Sequence, residues 1–170
     1  MTRLAPSLLA MLMAAGGCEG PSRPAEDDNV SVKGNTHWHV EADSLYAATG
    51  YRWHLAIPGE SVQFGLPETD DRAFRIDCRN GRIALIGPAA TEAGEGSPIE
   101  VTFDHGDLRT GSVALFGDGS NFVVEVAPDD PLLPRLLGRR HIVVQVADDE
   151  RSIPTAGGVD LIRALIRNCR

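Results

Sequence analysis

Short runs of alternating apolar and polar residues dominate the chain from Tyr51 onward. One run places Phe74, Ile76 and Cys78 on one face and charged residues on the other. This alternation is typical of a β-strand with one buried face. Runs of the same kind cover 51–57, 61–66, 82–86, 99–103, 112–116, 121–126 and 142–146. We therefore predict a mainly β fold, either an antiparallel β-sandwich or a small barrel.

Turn signals separate several of these predicted strands. An Asn-Gly pair at 80–81 predicts a tight hairpin, because both turn positions of such a hairpin need positive φ. Gly-Asp-Gly-Ser at 117–120 predicts a second hairpin. Asp-His-Gly-Asp at 104–107 is interpreted as a turn, and Asp-Asp-Glu at 148–150 as a solvated hairpin tip.

The end of the chain has helical rather than strand periodicity. Its apolar residues share one helical face: Leu161, Ile162, Leu165, Ile166 and Cys169. The pattern predicts a C-terminal amphipathic helix that covers an open end or face of the sheet. Thr155 is the predicted N-cap of this helix, and a shorter helix is predicted over 131–137.

The first residues have the pattern of an exported leader. A short basic start is followed by a mainly apolar stretch and by Ala-Gly-Gly-Cys at 15–18, as in a secretory signal peptide. The apolar stretch is shorter than the roughly 20 residues that a membrane span needs. We predict a signal peptide over 1–17, a lipidated N-terminus and disordered tether over 18–36, and the β domain over 37–170.

The residues that end at Cys18 resemble the lipobox of bacterial lipoproteins. The resemblance implies that Cys18 becomes the acylated first residue of the mature chain and anchors it to a membrane. Glu19 follows where an inner-membrane retention signal usually has Asp, which implies the periplasmic face of the outer membrane. The alternative is ordinary signal cleavage, which leaves a soluble periplasmic protein.

Charge and motif content exclude several classes of function. The 170 residues include 24 acidic and 16 basic side chains, a formal net charge of −8. This balance argues against a nucleic-acid partner, since phosphate backbones bind positive surfaces. The chain has no nucleophile elbow, phosphate-binding glycine loop, zinc-protease motif or dinucleotide fingerprint. We predict neither enzymatic activity nor a cofactor, although an active site assembled from separate loops stays open as a third possibility.

A pair of histidines lies at the border of the predicted tether. His37 and His39 would project to the same side of an extended strand, as a metal-binding pair requires. Asp43 or Glu41 could then supply an oxygen ligand, and His54 or His105 could approach in space. Because two imidazoles seldom bind a metal alone, we interpret them as a solvated pair and predict no metal site.

Cys78 and Cys169 are the thiols that remain once Cys18 is assigned to lipid. Exported proteins fold in an oxidising compartment, and both cysteines lie on apolar faces. A disulfide between two such distant positions removes unfolded-chain entropy worth roughly 4–5 kcal/mol. We therefore predict a structural disulfide between Cys78 and Cys169. Two buried free thiols or a redox pair are the alternatives, but no Cys-x-x-Cys motif is present.

The predicted β domain carries four short motifs. They are Tyr-Arg-Trp at 51–53, Phe-Gly-Leu-Pro at 64–67, Phe-Arg-Ile-Asp-Cys at 74–78 and Ile-Arg-Asn-Cys-Arg at 166–170. Together they resemble uncharacterised exported proteins of sphingomonad-type alphaproteobacteria over about residues 51–170. The resemblance implies a small β domain closed by a disulfide, and it implies no activity.

Two functions follow from these features. The first is a non-enzymatic envelope lipoprotein whose β domain binds an envelope protein or a cell-wall partner. The second is a periplasmic lysozyme inhibitor: residues 74–81 are similar to the aromatic-to-cysteine hairpin of membrane-bound lysozyme inhibitors, and an acidic chain suits a basic enzyme. Their inhibitory Ser and Lys motifs are not found, and Lys33 is the only Lys. We therefore predict the first function and keep the second as the alternative.

Overall fold

A computed structural model describes residues 46, 48–116 and 119–169. These residues include nine strands and two helices with defined bounds. The strands are β1 (Arg52–Ile57), β2 (Ser61–Gly65), β3 (Arg72–Arg79), β4 (Arg82–Pro88), β5 (Pro98–Phe103), β6 (Asp107–Phe116), β7 (Gly119–Val126), β8 (His141–Val146) and β9 (Asp149–Pro154). The helices are α1 (Leu132–Leu137) and α2 (Val159–Asn168).

All nine strands belong to one antiparallel sheet. Their order across it is β1-β2-β3-β4-β7-β6-β5-β8-β9. The predicted mainly β fold with a C-terminal amphipathic helix is confirmed. Among the described strands, β1 and β9 form no ladder with each other, so the sheet is not closed into a barrel.

The hairpin turns have the backbone that the sequence predicts. Asn80 and Gly81 join β3 to β4 with φ angles of 49° and 72°, the left-handed values that this turn requires. Asp104 and His105 join β5 to β6 with φ angles of 48° and 59°. Positions 117 and 118 lie outside the described residues, while β6 and β7 on either side of them pair in antiparallel fashion.

A single main core lies on the inner face of the sheet. Strands from both ends of the sheet and both helices contribute to it, so the sheet curves around this core. Five aromatic rings form a continuous row, with neighbouring centroids 5.5 to 6.4 Å apart: Phe64, Trp53, Phe74, Phe122 and Phe103. Rings of this size supply much of the buried apolar area of a small domain.

Helix α2 covers the part of the sheet formed by β1, β2 and β3. Its buried residues are Ile162 and Leu165, on the apolar face that the sequence indicates. Immediately after the helix, Cys169 forms a disulfide with Cys78 of β3, and their Cα atoms are 5.4 Å apart. The disulfide therefore ties the end of α2 to the end of β3, next to the β3–β4 turn.

The start of α2 differs from the prediction. Gly158, not Thr155, occupies the N-cap position, and no side chain caps the helix. A Cβ atom on Gly158 would lie 2.5 Å from Cγ of Trp53. Close packing against the indole therefore requires glycine at this position. The side chain of Thr155 instead bonds to main-chain carbonyls of the loop before β8.

Neither described helix is long and apolar enough to cross a membrane. The predicted leader and tether lie outside the described residues, as do Cys18, His37 and His39. The predictions made for them, namely acylation and the absence of a metal site, stay predictions.

Candidate functional site

The two edge strands of the sheet approach each other without pairing. Nε1 of Trp53, in β1, donates a hydrogen bond to the main-chain carbonyl of Pro154, in β9, at 2.6 Å. Beside this bond lies an open cleft of about 500 Å³, lined by residues of both edges and of the loops next to them. We call it the seam cleft.

One wall of the seam cleft is aromatic. Tyr46, Tyr51 and Phe64 contact one another with ring centroids 5.1 to 5.9 Å apart. Phe64 is buried, whereas the two tyrosines are half-buried and keep part of their surface accessible. Such a wall can contact the apolar face of a ligand.

Four of the other lining residues have basic side chains. Arg139 and Arg140 connect α1 to β8, His141 begins β8, and Arg52 adds a third guanidinium from β1. None of the described lining residues is Asp or Glu. Arg139 lies 3.9 Å from a carboxylate oxygen of Asp104. The seam cleft is thus a positive site in a chain whose net charge is −8.

Buried Thr155 fixes the main chain of this basic wall. Its hydroxyl donates to the carbonyl of Arg139 at 2.7 Å and also lies 3.0 Å from the carbonyl of Arg140. Its backbone N–H donates to the carbonyl of Arg140 at 2.9 Å. These bonds tie the loop before β8 to the segment after β9. Both arginine side chains therefore extend from an anchored backbone.

The aromatic wall is uncharged at neutral pH. Burial, together with a 2.5 Å hydrogen bond to the carboxylate of Asp71 and the nearby negative charge, raises the pKa of Tyr51 to about 12. Burial also raises the pKa of Tyr46, and the positive charge of Arg151 partly offsets this increase. Both phenols therefore stay protonated and add no negative charge to the cleft.

The hydroxyl of Thr155 in the cleft is engaged with the main chain. A nucleophilic hydroxyl needs a base within hydrogen-bond reach, but the hydroxyl of Thr155 donates to main-chain carbonyls. Within the part of the chain that the structure describes, no group of three or more His, Cys, Asp or Glu residues could hold a metal ion.

The other candidates from the sequence lie away from the seam cleft or outside the description. His54 is hydrogen-bonded to Gln63 at 2.9 Å, and His105 lies 3.4 Å from a carboxylate oxygen of Glu150. The acidic stretch at 148–150 spans the turn between β8 and β9 and the start of β9. Asp118 lies outside the described residues.

A buried charge cluster on β3 was not predicted. Asp77 belongs to the polar face of the strand, yet it is only 3% exposed. It accepts hydrogen bonds from Arg75, Arg79 and Ser61 at 2.5 to 2.7 Å. Burial alone would raise the pKa of Asp77, but the bonds from Arg75, Ser61 and Arg79 outweigh burial and lower that pKa. This cluster lies within the sheet and is structural.

The seam cleft was also missed by sequence reasoning. Its walls come from Tyr46, Tyr51 and the Arg-Arg-His run at 139–141, which are far apart in sequence. The run of three basic residues in an acidic chain was an available signal. No sequence signal places the aromatic wall beside this run, because the two come together only where β1 approaches β9 in the folded structure.

Comparisons of the chain with protein-family models, curated proteins and solved structures found no match in any of the three. The fold and the cleft themselves define the class: a β domain with a single sheet, a disulfide and a cleft lined by basic and aromatic side chains.

Proposed function

We propose that the chain is a non-catalytic binding module of the bacterial envelope that binds its ligand in the seam cleft. The observation that carries this proposal is the juxtaposition of an aromatic wall and three arginines around about 500 Å³ of open space. Clefts of about 300–1,000 Å³ with apolar walls and a few convergent polar groups are typical of ligand sites.

The construction of the cleft supports binding over a purely structural role. The Trp53 bond to Pro154 and the Thr155 bonds to the arginine loop set the two walls in place before a ligand arrives. A preformed site loses less conformational entropy when the ligand binds. A merely structural seam would be expected to pair its edge strands or fill the gap with apolar side chains.

The envelope location rests on the leader-like N-terminus and on the lipobox resemblance at Cys18. Mass spectrometry of the protein isolated from membranes is expected to show lipid on Cys18 as the first residue. A mature chain that lacks lipid there would contradict the anchor. Binding in the cleft would then be tested separately.

Site-specific photocrosslinking in cells tests the binding function. A benzophenone amino acid at Ala156, an exposed lining residue of the cleft, is expected to yield a defined adduct. The same group at Leu115, which is exposed on β6 away from the cleft, serves as the matched control. Identical adduct patterns at both positions, or no adduct at Ala156, would contradict the proposal.

A lysozyme inhibitor is the second candidate. Its support is the acidic net charge and the β3–β4 hairpin, which the Cys78–Cys169 disulfide braces near its turn. The basic seam cleft would repel a basic enzyme, so this candidate requires a different surface. A lysozyme activity assay tests this candidate. Full lysozyme activity in the presence of the protein at micromolar concentration would exclude inhibition.

A further inference from the structure

We infer that the seam cleft binds a small organic oxyanion whose apolar part is a ring, with a carboxylate or a phosphate as the charged group. This inference rests on the proposed function and adds the chemical class of the ligand. It depends on three features of the cleft: arginines without a described carboxylate within hydrogen-bond distance, a ring surface on which the Tyr51 hydroxyl already donates to Asp71, and walls held at a fixed separation.

The cleft differs from other arginine sites of the fold in how its charge is compensated. On the surface around α1, Arg109 pairs with Asp130 at 3.0 Å and Arg135 pairs with Asp107 at 2.7 Å. In such pairs the protein supplies the carboxylate itself at hydrogen-bond distance.

Among the residues that the structure describes, no carboxylate lies within hydrogen-bond distance of the three cleft arginines. Arg52 and Arg140 form no ion pair with any described residue, and Arg139 is 3.9 Å from Asp104, beyond hydrogen-bond distance. A guanidinium presents a planar set of N–H donors that matches a carboxylate or a phosphate in a bidentate manner. A ligand oxyanion can therefore take the place that Asp or Glu occupies at the paired arginines.

The aromatic wall defines the remainder of the ligand. Tyr51 uses its hydroxyl to donate to Asp71, so it offers the cleft its ring and not a free O–H donor. Tyr46 and Phe64 extend this ring surface at centroid distances of 5.3 and 5.9 Å from Tyr51. Aromatic side chains favour stacked or edge-to-face contact with another flat ring.

The separation between the ring surface and the basic loop is fixed by bonds that lie outside the ligand space. Trp53 holds β1 to Pro154 of β9, and Thr155, the next residue, holds the loop that carries Arg139 and Arg140. A ligand that has only a ring or only a charge would therefore use half of the site. The preferred ligand has both, on opposite sides of a compact molecule.

Isothermal titration calorimetry with matched probes tests this inference. The protein is the full-length chain with Cys18→Ser, which removes the proposed lipid so that probes do not partition into it. Two probes combine a ring with an oxyanion: naphthoate has a carboxylate and naphthyl phosphate has a phosphate. Two further probes separate these parts, since naphthamide has the ring without the charge and acetate has the charge without the ring. The tighter of the first two probes identifies the oxyanion.

The expected result is that naphthoate or naphthyl phosphate binds roughly tenfold or more tightly than naphthamide, while acetate gives no measurable heat. The double change Arg139→Gln/Arg140→Gln should reduce the affinity for the anionic ring probe by roughly tenfold or more and leave naphthamide unchanged. Arg163→Gln, on the exposed side of α2, is the control and should change neither affinity. Tyr46→Ala should weaken every ring probe.

Other outcomes separate this inference from the proposed function. Equal affinity for naphthoate and naphthamide, or an unchanged affinity in the double arginine variant, overturns the oxyanion inference and leaves a cleft that binds neutral rings. If none of the probes binds at millimolar concentration, the inference is also overturned, while crosslinking at Ala156 independently decides the binding function. Urea unfolding of each variant confirms that any loss of affinity occurs in folded protein.

Discussion

The indole nitrogen of Trp53 donates to the main-chain carbonyl of Pro154 at 2.6 Å, between residues that are 101 positions apart. The bond joins the first and last strands of the sheet where no backbone ladder joins them. On the other side of the indole, Gly158 allows the start of α2 to approach the ring. One side chain therefore connects both edges of an open sheet and the terminal helix.

The first prediction concerns this bond. Trp53→Phe keeps an aromatic ring in the core but removes the N–H donor, so the carbonyl of Pro154 loses its partner. We expect the free energy of unfolding to fall by about 1–3 kcal/mol. Urea unfolding followed by circular dichroism measures the change. Leu115→Ala, at an exposed position, is the control and should change stability by less than about 0.5 kcal/mol.

A second prediction compares two glycines with opposite surroundings. Gly158→Ala would place a Cβ atom 2.5 Å from Trp53, so the helix or the indole must shift, at a cost of about 1–3 kcal/mol. Gly94→Ala meets no atom within 4 Å, and because it restricts the unfolded chain we expect it to stabilise by about 0.4–1 kcal/mol. Unfolding midpoints of the two variants should therefore move in opposite directions. Equal shifts would contradict close packing at Gly158.

The fold could be predicted where it depends on local pattern. Three predicted features depend only on neighbouring residues, and the structure contains each of them: the alternation in β3, the Asn-Gly turn at 80–81 and the apolar face of α2. The pairing of β4 with β7 and of β5 with β8 depends instead on contacts that no local pattern encodes. The predicted N-cap at Thr155 was wrong for the same reason, because distant Trp53 decides how α2 begins.

The functional site was harder to predict than the fold. The alternation in β3 predicts that Asp77 and its neighbouring arginines lie on a solvated strand face. In the structure the carboxylate of Asp77 is buried and accepts hydrogen bonds from three side chains. The seam cleft needs Tyr51 at one sheet edge and Arg140 near the other, although β1 and β8, the strands that follow these residues, are separated by six other strands in the sheet. Residue type indicates what each side chain can do, whereas the curvature of the sheet decides which of them meet.

The third prediction uses the buried carboxylate. The pKa of Asp77 is lower in the folded state than in the unfolded chain, where it is about 3.9. The charged carboxylate therefore stabilises the fold at pH values above the unfolded pKa. This stabilisation is lost as the pH falls through the folded pKa. Asp77→Asn should cost about 2–4 kcal/mol at pH 7, since its arginine partners lose their charge partner.

The same change should reduce the difference in unfolding free energy between pH 7 and pH 3, measured by urea titration at each pH. Asp160→Asn is the control, because the side chain of Asp160 is 99% exposed and lies 3.8 Å from Arg163. If Asp160→Asn flattened the pH dependence as much as Asp77→Asn, the buried cluster would not be its source.

The fourth prediction concerns the two tyrosines, which are the only ones in the chain. Absorbance at about 295 nm should show both ionising above the ordinary pKa of 10, with Tyr51 near pH 12. In urea both should ionise near pH 10. Because the folded pKa values are raised, their contribution to stability is present below pH 10 and is lost as the pH rises through each folded pKa, which for Tyr51 is about 12. Asp71→Asn should lower the pKa of Tyr51, and an unchanged titration would contradict the hydrogen bond.

The last prediction assigns Thr155 a positioning role in the cleft. Thr155→Val keeps the shape of the side chain and removes the hydroxyl that donates to the carbonyl of Arg139, while the backbone bond to Arg140 stays. The arginine loop should then become less ordered, and the affinity for naphthoate should fall severalfold with naphthamide unaffected. Thr155→Ser restores the hydroxyl and should restore the affinity. A structural defect alone would weaken both probes together, so the ratio of the two affinities, measured by calorimetry, distinguishes positioning of the arginines from general loosening of the domain.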